Sequence, residues 1–152
     1  MATPKSLQAT LMATPDETET QLYEALHSGD LERLMAVWVD DDEAVCIHPG
    51  GARLIGLRAI RESFDQMFRE GARVDVRPMA VRRVALQGCE VHHVVERIRL
   101  NEPGEDGSPR IVFVLATNLY VKTPEGWRLQ VHHASLGTGR EHHEGDAAST
   151  LH

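Results

Sequence analysis

Residues Gly71–Leu100, GARVDVRPMAVRRVALQGCEVHHVVERIRL, decide the fold. Ahead of this stretch apolar residues recur at helical spacing, and within it they recur at every second position, the period of a strand with two distinct faces. Val74–Leu86 reads as one long strand and Cys89–Leu100 as a second, joined by a tight turn at Gln87–Gly88. Proline has no N–H to give to a ladder, so Pro78 places the first strand at a sheet edge or at a bulge. Downstream the pattern continues. NEPGEDGSP (residues 101–109) is a polar Gly/Pro loop, Ile111–Lys122 a third strand, TPEG (123–126) a turn and Trp127–Leu136 a fourth strand.

Upstream the period is that of helices. Thr14 can cap a helix whose first residue is Pro15, with Glu17 as the reciprocal partner of a capping box. Leu22, Ala25 and Leu26 share its apolar face, and Gly29 supplies a left-handed stop. Asp30 caps a short second helix carrying Leu31, Leu34, Met35 and Trp38, which the acidic run Asp40–Glu43 ends. AVCIHP (44–49) reads as a short strand and PGG (49–51) as a turn. A third helix, from about Leu57 to Glu70, carries the stripe Ile60, Phe64, Met67 and Phe68. Helices first and a strand meander afterwards is an α+β order. The expected object is three N-terminal helices packed on a strongly curved antiparallel sheet, a cone-shaped α+β barrel enclosing a cavity. Residues 14–138 form its single domain. Residues 1–13 are expected to be a flexible tail, and 139–152, polar and without period, a disordered one.

Bulk properties narrow the function. The chain has 152 residues, 41% apolar and 26% charged, which suits one globular domain. The net charge is −7 and the basic residues do not cluster, so neither nucleic acid nor an anionic membrane is an expected partner. No apolar run approaches the roughly 20 residues that span a bilayer. The two cysteines, Cys46 and Cys89, cannot build a disulfide framework and read as buried thiols. With no signal-like leader segment, the expected location is cytoplasmic.

Two segments carry a family resemblance: VCIHPGGARLIGLRAI (45–60) and ATNLYVKTPEGWRLQVHHAS (116–135). Over residues 15–138 the chain resembles the SnoaL-like branch of the nuclear transport factor two-like superfamily. That resemblance implies the cone fold and a homodimer formed through the outer face of the sheet. It is weak for function, because relatives include polyketide cyclases, ketosteroid isomerase, dehydratases and binding modules. The aspartate pattern of the steroid isomerases is missing here, and the strands offer histidines, Glu96 and Asn118 instead.

Strand alternation sorts the candidates by face. His92, Val94, Glu96 and Ile98 share one face of the second long strand, and Ala116, Asn118 and Tyr120 one face of the third. In the fourth, Leu129, Val131, His133 and Ser135 oppose Arg128, Gln130 and His132. Alternation leaves open which face looks inward. A His92–Glu96 pair would suit a general base, since a carboxylate orients an imidazole and raises its pKa, and a structural ion pair is the plain alternative. His133 and Asn118 could meet across the ladder, binding a ligand carbonyl or satisfying each other. Trp38 and His48 are candidates for a pocket rim or for core, and Phe64, Met67, Phe68, Leu115 and Leu129 for apolar lining. Asp40, Asp41 and Asp42 read as a solvated loop. Cys46, His48 and a nearby aspartate lack the spacing of a metal site, and His92/His93 and His132/His133 point to opposite faces, so no metal or cofactor is expected. The expected function is binding of a compact, partly apolar small molecule, with cofactor-independent acid–base chemistry of isomerase, cyclase or dehydratase type on a carbonyl compound. The alternative is a non-catalytic dimeric interaction module.

Overall fold

A computed structural model describes residues 10–71, 75–100 and 103–145. Helix α1 spans Pro15–Ser28, α2 Leu31–Val37 and α3 Leu57–Arg69. Strand β1 spans Val45–Ile47, β2 Arg53–Ile55, β3 Asp75–Leu86, β4 Cys89–Leu100, β5 Arg110–Thr123 and β6 Gly126–Gly137. The helix signals act as their chemistry requires. Thr14 Oγ1 accepts from Glu17 N at 3.1 Å, and Asp30 Oδ1 from Arg33 N at 3.0 Å. Gly29, at φ 67°, ends α1. Val74 lies outside the described residues, so the observed β3 begins at Asp75.

The six strands form one sheet in the order β2-β1-β6-β5-β4-β3. Neighbours are antiparallel except β1 and β6, which run parallel. The sheet is therefore mixed and open rather than purely antiparallel and closed. The short β1 comes from the helical half and enters beside β6 in the same direction, and Arg53–Ile55, to which the sequence pattern assigns no element, folds back on it as β2. Pro78 fills both roles offered to it: β3 is an edge strand, and its register slips between Pro78 and Ala80.

A second slip matters more for function. Leu119 pairs with Val131 but Tyr120 with Leu129, leaving Gln130 as the extra residue of a bulge in β6. The bulge reverses the in–out phase of the strand. Leu129 points inward, and after Gln130 it is His132 and Ala134 that are buried, while His133 and Ser135 are exposed. Regular alternation would have kept Leu129 and His133 on one face.

The core lies between the helices and the inner sheet face. It joins Leu22, Tyr23 and Ala25 of α1, Leu34 and Val37 of α2, and Ile60 and Phe64 of α3 to Val94, Val114, Ala116, Tyr120 and Leu129. Burying a leucine such as Leu22, Leu34 or Leu129 contributes roughly 1.5–3 kcal/mol. Residues just ahead of α1 join this core. Met12, assigned to the leading tail by sequence pattern, is buried, and its carbonyl accepts from Trp127 N at 2.7 Å. Residues 138–145 are exposed and irregular.

Candidate functional site

A cavity of about 110 Å³ lies between the helices and the sheet. Trp38, His48, Phe64, Met67 and Phe68 line it, as does Glu96 from β4 and His132 from β6. Most of the wall is apolar, completed by Leu22, Leu26, Val76, Ile98 and Val114. His48 stands just past the end of β1, meets the ring of Phe64 edge-on at 5.0 Å, and has Nε2 2.9 Å from Ser63 Oγ. Leu115, a candidate for the lining, is instead 43% exposed on the outer face, because Ala116 takes the inward position of β5.

The polar residues of the inner face form one network under α1. His92 and Glu96 share the inner face of β4, as alternation requires, but each takes other partners. His92, fully buried, has Nδ1 2.9 Å from Glu19 Oε2 and Nε2 2.6 Å from Glu90 Oε2. Burial alone would lower its pKa; the two carboxylates outweigh that and raise it, which favours the charged form. Glu96 accepts from Tyr23 Oη at 2.6 Å. Tyr120 donates to Glu19 Oε2 at 2.7 Å. His133 cannot meet Asn118, because the bulge turns it outward and puts His132 in register with Asn118. His132 Nδ1 lies 2.6 Å from Asn118 Oδ1, while Asn118 Nδ2 donates to Tyr23 Oη at 3.2 Å and Glu19 Oε2 at 3.4 Å. Asn118 thus satisfies the network, and the bond assigns the His132 proton to Nδ1, leaving the Nε2 lone pair for other partners.

Burial sets the protonation of the two titratable groups that the network brings to the cavity. Desolvation, with the nearby charge of Glu19, pushes Glu96 up to about 7 against the lowering effect of the Tyr23 bond. Desolvation, then the neighbouring His48 and His133, pushes His132 down to about 4. His48 is also lowered by burial. At neutral pH the cavity therefore holds a carboxyl poised between its two forms and two uncharged imidazoles, with no Lys or Arg among the described residues that line it.

The inward phase of β6 after the bulge, and with it His132, was missed by sequence reasoning; an extra residue in one strand leaves no mark in an otherwise alternating pattern. Glu19 was missed because a glutamate in an amphipathic helix ordinarily faces water. The spacing Glu19–Tyr23, one helical turn, was the available signal that it shares a face with the core.

Other spaces and clusters are satisfied by the chain itself. An open groove of about 770 Å³ runs between α1 and β3; Arg83 pairs with Asp16 across it, and Arg33 of α2 pairs with Glu24 of α1. Among the described residues, donor atoms able to hold a metal ion come together at Asp16, Glu90 and His92. Arg83 Nε occupies Asp16 at 2.8 Å, and Glu90 already bonds His92. Asp40–Glu43 form a solvent-exposed loop closed by Asp41 Oδ1 on Glu43 N at 2.8 Å. Cys46 is buried, with its thiol pushed up to about 12 by desolvation and then by Glu96, whereas Cys89 is half-buried; both are free.

The raised pKa of Glu96 makes a stability prediction. The folded state holds the proton more tightly than the unfolded chain, so this contribution is full below the model-peptide value of 4.5 and is lost as pH rises through about 7. Glu96→Gln removes it. Urea unfolding of both proteins across this window should show wild type losing about 3 kcal/mol relative to Glu96→Gln. A pH-independent difference would contradict the burial of this carboxyl.

Comparison with known proteins agrees with this architecture. The model of the SnoaL-like domain matches residues 16–139. No curated protein matches. Among solved structures, one from Thiobacillus denitrificans, provisionally named a calcium/calmodulin-dependent protein kinase type II association domain, is 33% identical with a TM-score of 0.74. The match covers 84% of this chain and 98% of that one. A provisionally named dehydratase of the NTF2-like family from Streptomyces avermitilis is 26% identical with a TM-score of 0.69, over 80% of this chain and 92% of that one. The CaMKII hub of S. rosetta shares the fold at 19% identity, with a TM-score of 0.65 over 90% of this chain and 100% of that one. Among the described residues no helix is long and apolar enough to cross a membrane. With three helices laid on one curved sheet and the matched domain covering most of its length, the chain belongs to the SnoaL-like family.

Proposed function

We propose that the chain binds a compact, partly apolar carbonyl compound in the cavity and moves a proton on it without a cofactor, by chemistry of isomerase, cyclase or dehydratase type. The observation that carries this reading is Glu96: a buried carboxyl that lines an apolar cavity, where loss of water pushes its pKa up to about 7. A general acid–base group works best when its pKa lies near the working pH. In the reaction, the Glu96 carboxylate takes a proton from the carbon next to the carbonyl. The C–H electrons move to form the enolate, and the same carboxyl returns the proton at carbon or oxygen. Tyr23, bonded to Glu96, is a positioning residue, and so is His92, which reaches the site only through Glu19 and Asn118. Neutral His132 offers a polar contact, while Trp38, His48, Phe64, Met67 and Phe68 shape the ligand space. The similarity to a provisionally named dehydratase supports the reaction type.

The test is hydrogen exchange of the α-protons of cyclohexanone in deuterated water, followed by proton NMR. Exchange should run faster with the protein than in buffer, and Glu96→Gln should remove about 10²-fold or more of the enhancement. Exchange no faster than buffer would defeat the catalytic reading.

The outer sheet face favours a second feature, self-association, which the hub and association-domain relatives also suggest. In register across this face, Val84, Val91, Leu119 and Val131 form one apolar row, and Val95 and Leu115 a second. Val84 is 58% exposed, Leu86 57% and Leu115 43%. We propose a homodimer through this face; if the exchange test fails, a non-catalytic dimeric module remains as the function. Sedimentation equilibrium should give a dimer for wild type and a monomer for Leu115→Asp. A monomeric wild type, or a variant that stays dimeric, would overturn the interface. The cytoplasmic placement drawn from the two free cysteines belongs to the same proposal.

A further inference from the structure

The hydrogen bonds behind His132 fix what this residue presents to the cavity. Tyr23 gives its one hydroxyl proton to Glu96 at 2.6 Å, so toward Asn118 it can only accept. Glu19 Oε2, beside it, already takes the Tyr120 hydroxyl at 2.7 Å. Both atoms call for the amide nitrogen of Asn118, which donates to Tyr23 Oη at 3.2 Å and to Glu19 Oε2 at 3.4 Å. Turned over, the amide would set its oxygen against their lone pairs. Asn118 Oδ1 is therefore left to face His132 Nδ1 at 2.6 Å. An amide oxygen only accepts, so the imidazole proton sits on Nδ1, and His132 Nε2 carries a lone pair. Burial, and then the neighbouring His48 and His133, push the pKa of the ring down to about 4 and keep it in that neutral form.

This second nitrogen is unpaired but not sealed. Among the described residues, the buried side-chain polar atom that is both unpaired and closed to water is Trp38 Nε1. His132 Nε2 has no partner among them either, so it is open to a neighbour the size of a water molecule, and the space that His132 lines is the cavity. His48, the other imidazole of the lining, makes no such fixed demand, because its partner Ser63 is a hydroxyl that can give or take a proton. We infer that the ligand of this cavity carries a hydroxyl that donates its hydrogen to His132 Nε2. This rests on the reading of the cavity as a small-molecule site, and it narrows the carbonyl compound to a hydroxy-carbonyl compound or its enol. A carbonyl or ether oxygen at this point would meet lone pair with lone pair, whereas a hydroxyl brings the donor. An ammonium group would also donate, but its charge would be desolvated within a mostly apolar wall. A volume of about 110 Å³ admits a molecule about the size of one six-membered ring, so a ligand that fills it meets both His132 and Glu96.

Nitrogen NMR of the imidazole tests this on the wild-type protein, with the ring nitrogens of His132 assigned through bonds from its own backbone. Without ligand at pH 7, Nδ1 should be protonated and Nε2 bare. Cyclohexanol, which puts a hydroxyl on a ring of the right size, should move the Nε2 resonance upfield, as a hydrogen bond to a bare imidazole nitrogen does. Methylcyclohexane, of similar shape but without the donor, should leave it in place. His132→Phe should weaken cyclohexanol binding about tenfold and leave methylcyclohexane binding unchanged. Should that variant fail to fold, the wild-type spectra alone decide. If the ligand-free ring carries its proton on Nε2, or if cyclohexanol perturbs other cavity residues while the Nε2 resonance stays in place, this inference is overturned and the small-molecule reading survives. If neither ring compound perturbs any residue of the cavity, both fail together.

Discussion

Glu19 pins helix α1 to the sheet. Its Oε2 is within bonding distance of Tyr120 Oη, His92 Nδ1 and Asn118 Nδ2, side chains from the neighbouring strands β4 and β5. One turn further along the helix, Tyr23 repeats the arrangement with Glu96 and Asn118. A helix placed only by apolar contact could slide along the sheet by a fraction of a turn at modest cost. A helix placed by a buried carboxylate cannot, because a shift would leave several polar groups desolvated and unpaired. The position of α1 therefore fixes the depth of the cavity and the surroundings of every titratable group in it.

The chemistry of the cavity follows from that placement. Glu96 sits where α1 excludes water and the charge of Glu19 is near, so its neutral form is favoured far above the usual carboxylate range. His132, on the neighbouring side of the same space, is pushed the other way by the same loss of water. His92 lies within the same network, yet the carboxylates around it raise its pKa against the effect of burial. Three buried ionisable side chains are thus shifted differently, as the partners the fold supplies to each decide. Tyr23 joins the two halves, since it lines the open groove on one side and bonds Glu96, a cavity residue, on the other.

Much of this was legible in the sequence. The Thr14 cap, the stop at Gly29 and the hairpin at Gln87–Gly88 are local rules, and the chain obeys them, although the Glu17 carboxylate accepts from Ala13 N rather than from Thr14 N as a capping box would have it. The cavity wall of Trp38, His48, Phe64, Met67 and Phe68 was legible because helical stripes and the rim of a short strand leave few other places for such residues. The shared face of His92 and Glu96 followed from alternation, but their partners did not, since Glu19 and Tyr23 come from a helix more than seventy residues earlier. The choice between His132 and His133 was not legible, because one inserted residue, Gln130, exchanges their faces. The parallel pairing of β1 with β6 was hidden for a related reason, as a three-residue strand does not announce its neighbour.

The account stands on Glu96 carrying a proton near neutral pH inside an apolar cavity. The most direct measurement is a ¹³C NMR titration of the glutamate side-chain carboxyls, with the Glu96 signal assigned by its loss in Glu96→Gln. A midpoint near 7 is the predicted result. A midpoint at the ordinary glutamate value of 4.5 would mean that water reaches this carboxyl, and the cavity would then lack the poised acid–base group on which the proposed chemistry depends.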